Sequence, residues 1–428
     1  MKFKQSDVQN QRIERITTSH LVIGIDMAKE THVAQATNFR GIVVSKRHLS
    51  FSNSMEGFKK LSRWMTELQQ NHRLKKLIIG MEPTGHYWFN LANWLADSGL
   101  QVAMVNPATT KRNKENRDNS PSKSDPKDAL VIADAVSRGF YYEYTRQPLE
   151  FQRLRTMMSD REFWVTNSIR LQNRIIRWLA IRFPEYSSVF KDWTCKRSLA
   201  TLKTFPCPRD LERYTVQGIM DAWRVHMQRA GGTTGIEKAA QLIAQAKRSV
   251  GERAAEEEAK VDLKRLIEEF ERITSMLEQI EKDIEALLSE IPMAQQLRSI
   301  KGLGKIFTAA ILAGTGDLSQ YAHGRQVLRK AGLNLAESSS GKRKGRIVLS
   351  KRGDSALRKY LYLATVQLVW NNPVFRHLHE HNVQEKKMKK QQSIFKLTGK
   401  LARILVGIVQ RGERFMPEKT VLAWTEAA

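Results

Sequence analysis

Cysteine is nearly absent: two residues, Cys195 and Cys207, in a chain of 428. They stand twelve positions apart without a Cys-x-x-Cys pattern. They therefore provide neither a disulfide framework nor a zinc site. Long apolar runs are missing too. None approaches the ~18 residues of a membrane-spanning helix, and no signal-peptide core follows Met1. Acids are in short supply: 44 Asp and Glu against 71 Lys and Arg, a formal charge of +27. Such an excess favours a polyanionic partner, most often nucleic acid. What is present suffices for folded cores, with 41% hydrophobic residues. The length fits roughly two to four domains. The expectation is a cytoplasmic protein that works on DNA or RNA.

Residues 1–19 are polar and charged and read as a flexible basic arm. Leu21-Val22-Ile23-Gly24-Ile25-Asp26 is a short β-rich run that ends in an acid. Residues 31–37 and 41–48 read as two more strands, joined by Asn38-Phe39-Arg40, so an antiparallel meander is expected. Residues 55–68 form an amphipathic helical pattern through Phe58, Leu61, Trp64, Met65 and Leu68. A fourth strand, 76–81, ends at Glu82, where Pro83-Thr84-Gly85 breaks it. A helix follows with Trp88, Leu91, Ala92 and Leu95, then a fifth strand at 101–105. Residues 108–124 carry Lys111, Arg112, Lys114, Arg117 and Lys123 and read as a mobile basic loop.

That loop leads into Lys123-Ser124-Asp125-Pro126-Lys127-Asp128-Ala129. Pro126 suits the first turn of a helix. Asp125 and Asp128, at i and i+3, share one helix face. Alone, the pair also fits a solvated helix, Asp26 a strand-end turn and Glu82 a loop acid. Together they stand at the ends of strands one and four and on a late helix, in the order βββαβαβα. This is the arrangement of a ribonuclease H-like (RuvC-like) α/β domain, whose first and fourth strands end side by side. Asp26, Glu82, Asp125 and Asp128 are then expected to converge. Four carboxylates supply hard oxygen ligands for one or two Mg²⁺ ions, with Lys123 and Lys127 flanking them to hold phosphate.

The remainder reads as mostly helical. Residues 149–179 place Leu154, Met158, Val165, Ile169, Ile176 and Leu179 on one face. Residues 184–250, broken by Pro184, Pro206, Pro208 and Gly231-Gly232, read as an insertion with several helical pieces. Within 252–291, apolar residues recur at alternating three and four from Leu263 through Leu266, Phe270, Ile273, Leu277, Ile280, Ile284 and Leu287 to Ile291. That is a coiled-coil seam. Its cover could be 149–179 of the same chain, the same helix of another subunit, or both. Gly302-Leu303-Gly304-Lys305 opens a further apolar helix and has the form of a helix-hairpin-helix turn. Its glycines would let backbone N–H groups approach a phosphate. Ser338-Ser339-Ser340-Gly341 precedes the basic cluster Lys342, Arg343, Lys344 and Arg346, and Ser350-Lys351-Arg352-Gly353 follows. Taken alone, these suggest a flexible loop on a phosphate backbone. Residues 357–370 and 397–409 read as apolar helices that close the domain, and Lys386 to Lys390 as a backbone-contacting basic run.

The motifs occur in an order that resembles one family: the DEDD-type insertion-sequence transposases related to pilin-gene-inverting recombinases, which are guided by a bridge RNA. The resemblance covers roughly residues 20–180 and 255–410. It rests on Gly24-Ile25-Asp26, Met81-Glu82-Pro83-Thr84-Gly85, Val105-Asn106-Pro107, the Lys123–Ala129 motif, Gly302-Leu303-Gly304, Ala331-Gly332-Leu333, Ser340-Gly341 and Ser350-Lys351-Arg352-Gly353. It implies a RuvC-like domain at 20–148, a coiled-coil region at 149–291 with the insertion, a transposase domain at 292–415 and a tail at 416–428. It implies that Asp26, Glu82, Asp125 and Asp128 form the metal tetrad and that Ser340 is a serine nucleophile. The basic residues, Lys342 to Arg346 among them, would hold the scissile DNA. A non-coding RNA would pair with target and donor DNA, and the protein would act as a dimer or tetramer through the coiled coil. The alternative expectation is a metal-dependent junction-resolving nuclease with no covalent serine intermediate.

Overall fold

The computed structural model describes residues 7–118, 124–228, 231–336 and 347–418. The chain divides after Gln147 into two compact units.

In the first unit, α1 (Asp7–Arg15) precedes β1 (His20–Asp26), β2 (Thr31–Asn38) and β3 (Leu49–Ser52). Then come α2 (Met55–His72), β4 (Lys76–Met81), α3 (Trp88–Asp97) and β5 (Gln101–Val105). The unit ends with α4 (Pro107–Asp118), α5 (Asp125–Ser137) and β6 (Tyr141–Glu143). The strands form one mixed sheet in the order β3-β2-β1-β4-β5-β6. The β1–β4 and β4–β5 pairs are parallel, the others antiparallel. This topology agrees with a ribonuclease H-like domain. One face of the sheet packs on Phe58, Leu61, Met65, Leu91 and Leu95 of α2 and α3. The other packs on Ile132, Ala133 and Val136 of α5. Parallel strands covered on both faces explain the continuous apolar runs at residues 21–25 of β1 and 77–81 of β4.

Three expectations change here. Residues 41–48 are not the third strand: Ile42 and Val43 are exposed, and Val43 makes only an isolated bridge to Thr37. The strand is Leu49–Ser52, where Leu49 and Phe51 are buried and Ser50 and Ser52 exposed. Residues 107–118, expected within a mobile loop, are helical. Residues 7–15, expected within a flexible arm, are helical too, and Arg12 lies 5.7 Å from the centre of the Tyr141 ring.

The second unit is helical. α6 (Leu149–Arg182, 34 residues) is followed by five shorter helices, α7 to α11 (Tyr186–Val189, Lys196–Thr204, Pro208–Glu212, Val216–His226, Gly232–Lys247). α12 (Glu256–Glu290, 35 residues) then returns along α6. Trp178 Nε1 donates to Ala259 O (3.0 Å), Arg161 grips Glu281 through Nε and Nη2 (3.0 and 2.7 Å), and Arg153 meets Glu290. These contacts run in opposite directions along the two helices, which are therefore antiparallel. Next come α13 (Pro292–Arg298), α14 (Lys305–Thr315), α15 (Gly324–Lys330), the pair β7 (Leu335–Ala336) and β8 (Val348–Leu349), and α16 to α18 (Ser355–Asn371, Pro373–Gln384, Lys390–Arg411).

Two cores form along the long pair. Near one end, Ile175 and Trp178 of α6 and Leu263 and Phe270 of α12 join Tyr186, Phe205 and Trp223. The stretch 184–250 is thus a helical layer packed on α6 and α12, sharing one core with them. Near the other end, Leu154, Met158, Ile284 and Leu287 join α14, α16 and α18. α6 does not bury the whole expected stripe. Ile169 is 53% exposed and Ile176 49%. Ile175 and Trp178 take the inner side instead, the large indole fixed by its bond to Ala259 O.

Candidate active site

The β1–β4 register pairs Ile25 with Met81. The next residues, Asp26 and Glu82, therefore emerge together at the carboxyl ends of parallel strands, where open α/β sheets place their ligands. Helix α5 is brought onto this edge by two glycines, Gly24 and Gly80, which are register partners on β1 and β4. A Cβ on Gly24 would lie 1.9 Å from Ala129 O and 2.6 Å from Ala133 N. One on Gly80 would lie 2.6 Å from Val136 Cγ2. Such close approach sets the first turn of α5, with Asp125, Pro126 and Asp128, beside the strand ends. Asp125 is exposed, whereas Asp128 is 6% exposed.

Asp26 senses the other three acids. Burial pushes the Asp26 carboxyl up to about 6, and the charges of Asp128, Asp125 and Glu82 push it the same way, against Lys114. The hydroxyls of Thr84 and Thr110 donate to the two oxygens of Glu82. Lys114 Nζ donates to Asp128 Oδ2 at 2.7 Å. Asp128 Oδ1 is buried without a partner. A negative cluster with an orphaned carboxylate oxygen fits a divalent cation chemically. Among the described residues, however, no three acidic, His or Cys side chains stand close enough to share one in this arrangement.

Thr84, Thr110 and Lys114 were not singled out from the sequence as site residues. The available signal was the spacing of Thr110 and Lys114, four apart and so on one face of a helix. It goes unread when 108–124 is taken for a loop. Lys127, expected to flank the acids toward phosphate, is buried on α5. Lys123 lies outside the described residues.

In the second unit, Gly302 turns the chain between α13 and α14 at φ +96, and Gly304 precedes the first turn of α14. Lys305 is half-buried, 3.9 Å from Glu281 Oε2. Ser338, Ser339, Ser340, Lys342, Arg343, Lys344 and Arg346 lie outside the described residues. The segments on either side are tightly joined. Ser350 Oγ donates to Asn334 Oδ1 (2.6 Å), Asp354 N to Lys330 O (2.7 Å), and Arg358 Nη1 to Ala331 O (2.9 Å). A Cβ on Gly353 would lie 2.3 Å from Lys330 O, so Ser350-Lys351-Arg352-Gly353 passes against the end of α15. Lys351 and Arg352 stay exposed.

Two family models match the chain. One, described as a transposase of the DEDD, IS110 type, matches residues 23–184, and one described as the transposase IS116/IS110/IS902 family matches residues 294–380. A probable family 20 transposase of Pseudomonas aeruginosa is 22% identical over 341 residues, 79% of this chain and 81% of the relative. An insertion element IS116 protein of Streptomyces clavuligerus is 23% identical over 343 residues, 80% of this chain and 83% of the relative. A pilin gene-inverting protein of Moraxella bovis is 31% identical over 115 residues, 27% of this chain and 34% of the relative. The first match spans all four acids and the second spans Gly302, Ser340 and Ser350-Lys351-Arg352-Gly353. The chain belongs to the IS110/IS116 family of insertion-sequence transposases.

Proposed function

We propose that this transposase excises and integrates its insertion element by serine-based strand exchange, directed by a non-coding bridge RNA. The observation that carries the reading is the gathering of Asp26, Glu82, Asp125 and Asp128 at one sheet edge, where burial and then the charges of the other three raise Asp26. These residues would hold one or two Mg²⁺ ions, which when bound neutralise phosphate charge and lower the pKa of a coordinated hydroxyl. Asp128 would offer its unpartnered oxygen, and Thr84 and Thr110 would orient Glu82.

Ser340 is the proposed nucleophile. Its oxygen bonds to the phosphorus of the scissile phosphodiester as the P–O bond to one deoxyribose breaks. The serine proton ends on the released strand hydroxyl. A serine hydroxyl is a weak nucleophile and needs activation. Lys342, Arg343, Lys344, Arg346, Lys351 and Arg352 would hold the phosphate backbone, with the Gly302-Leu303-Gly304-Lys305 turn as a second contact. RNA pairing with donor and target DNA would carry the sequence readout, as in other RNA-guided proteins. The long α6–α12 pair would act as a coiled coil that joins subunits into a dimer or tetramer. Phe163, Ile169 and Ile176, exposed on α6, support that role.

The test is a protein–DNA adduct that survives denaturation when protein, RNA, donor and target DNA are combined with Mg²⁺. The wild type should form it, and both Ser340→Ala and Asp26→Ala should lose it. Recombination by Ser340→Ala would overturn the serine mechanism. Strand cleavage without an adduct would favour a junction-resolving nuclease.

A further inference from the structure

Helix α4 sends two side chains from one face into the acid cluster. Thr110 donates to Glu82, and Lys114, one turn later, donates to Asp128 at 2.7 Å. Asp128 is the most enclosed of the four acids, 6% exposed, and its other oxygen has no partner. Lys114 is itself largely sheltered, its side chain 29% exposed. The helix offers little apolar surface to bury. Its sequence, Pro-Ala-Thr-Thr-Lys-Arg-Asn-Lys-Glu-Asn-Arg-Asp, contains one alanine and no larger apolar residue after its proline. Such a segment gains little from burying an apolar face. Thr110 is buried, and its bond to Glu82, with the Lys114–Asp128 pair, fastens the helix to the site.

We propose that Lys114 is a built-in counter-ion of the acid cluster, and that a divalent cation must displace it from Asp128, releasing α4 as it enters. The inference rests on the cation-binding reading of the four acids and adds a regulatory part to that site. The ammonium supplies positive charge beside Asp128, opposing the mutual repulsion of the acids before metal arrives. A cation held by both oxygens of Asp128 would stand beside the Lys114 ammonium at Oδ2, and the two positive charges repel each other. Movement of α4 would then couple cation entry to the basic residues on the same helix, Lys111 and Arg112, which are exposed.

The experiment measures Mn²⁺ binding to the full chain by calorimetry, for the wild type, Lys114→Met, Lys111→Met and Asp128→Asn. Lys114→Met should bind Mn²⁺ about tenfold more tightly than wild type, the change that ~1.4 kcal/mol corresponds to. Lys111→Met, which removes the same charge from the same helix, should change affinity far less. Asp128→Asn should bind weakly or not at all. In parallel, Mn²⁺ should speed amide exchange across residues 107–118 of the wild type. Equal affinity in wild type and Lys114→Met, or slower exchange in 107–118 with metal, would overturn the role of Lys114 and leave the metal site standing. Equal tightening in Lys111→Met and Lys114→Met would reduce the effect to general charge and overturn displacement. Failure of every variant to bind Mn²⁺ would instead remove the metal site, and this inference with it.

Discussion

Gly24 and Gly80 sit opposite each other on β1 and β4, and the same helix, α5, lies against both. The contact at Gly24 is backbone to backbone, with Ala129 O and Ala133 N where a Cβ would be. No side chain can turn aside to make room. Gly24→Ala must therefore displace α5, and with it Asp125 and Asp128, from the strand ends. Overpacking costs about 1–3 kcal/mol when neighbours can adjust, and this site should lie at or above the top of that range. Gly80→Ala meets the methyl groups of Val136 and Ile132 instead and should cost less. Thermal unfolding of the two variants beside wild type measures both. A Gly24→Ala protein as stable as wild type would contradict the packing described.

Asp26 gives a pH signature in the metal-free protein. Its folded carboxyl keeps a proton up to about 6, whereas an unfolded Asp loses it near ~3.9. Between those values the folded state binds more protons than the unfolded one, so stability falls as pH rises. The loss is complete above the folded value. Asp26→Asn removes the ionisation and should stabilise the chelator-treated protein at pH 7.5 by roughly 1–2 kcal/mol, less than the whole shift because the carboxyl is partly open to solvent. The gain should vanish near pH 4. Urea unfolding across that range is the measurement. A gain that persists unchanged at pH 4 would mean that Asn stabilises by another route.

Much of the fold around these acids is legible in the sequence. Strands β1, β4 and β5 are buried on both faces, which writes continuous apolar runs with acids at the ends of β1 and β4. α5 announces itself by Pro126 in its first turn. α4 was not legible, because it has almost no apolar face and its contacts from Thr110 and Lys114 go to acids distant in sequence. The third strand was misplaced because Ile42 and Val43 have β-forming side chains yet remain exposed, while the short run Leu49–Ser52 buries two of its four residues. Residues 184–250 hid their core for a related reason. Tyr186, Phe205 and Trp223 meet across short helices, and no periodic stripe links them. The stripe assigned to α6 erred by one residue at Ile176, where Ile175 and Trp178 turn inward.

The turn between α13 and α14 separates folding from binding. Gly302 has φ +96, with the Asn371 and Leu368 side chains 3.2 and 3.4 Å from where its Cβ would be. Gly302→Ala should cost about 1–2 kcal/mol from backbone strain alone. Gly304 is in extended backbone with open space around it, and it stands at the N-cap of α14. Serine is a good N-cap residue, so Gly304→Ser should change stability by less than about 0.5 kcal/mol. If the turn presents its N–H groups to a phosphate, Gly304→Ser should nonetheless weaken DNA binding by obstructing that approach. Equal binding by Gly304→Ser and wild type would take the turn out of the nucleic-acid surface.

The charge excess makes a prediction that does not depend on the catalytic mechanism. With +27 on the chain, binding to nucleic acid should be driven largely by release of condensed counterions. A plot of log affinity against log salt should fall with a slope steeper than about −5 for duplex DNA. Particular residues can be assigned a share of it. Lys387 and Lys390 are exposed between α17 and the start of α18. If both contact phosphates, changing them to Gln should reduce the slope by about 2 and weaken binding to unrelated sequences equally. Loss of affinity with an unchanged slope would mean that they act on the fold rather than on phosphate. A flat salt response in the wild type would be the stronger result, because it would detach the basic surface from nucleic-acid binding altogether.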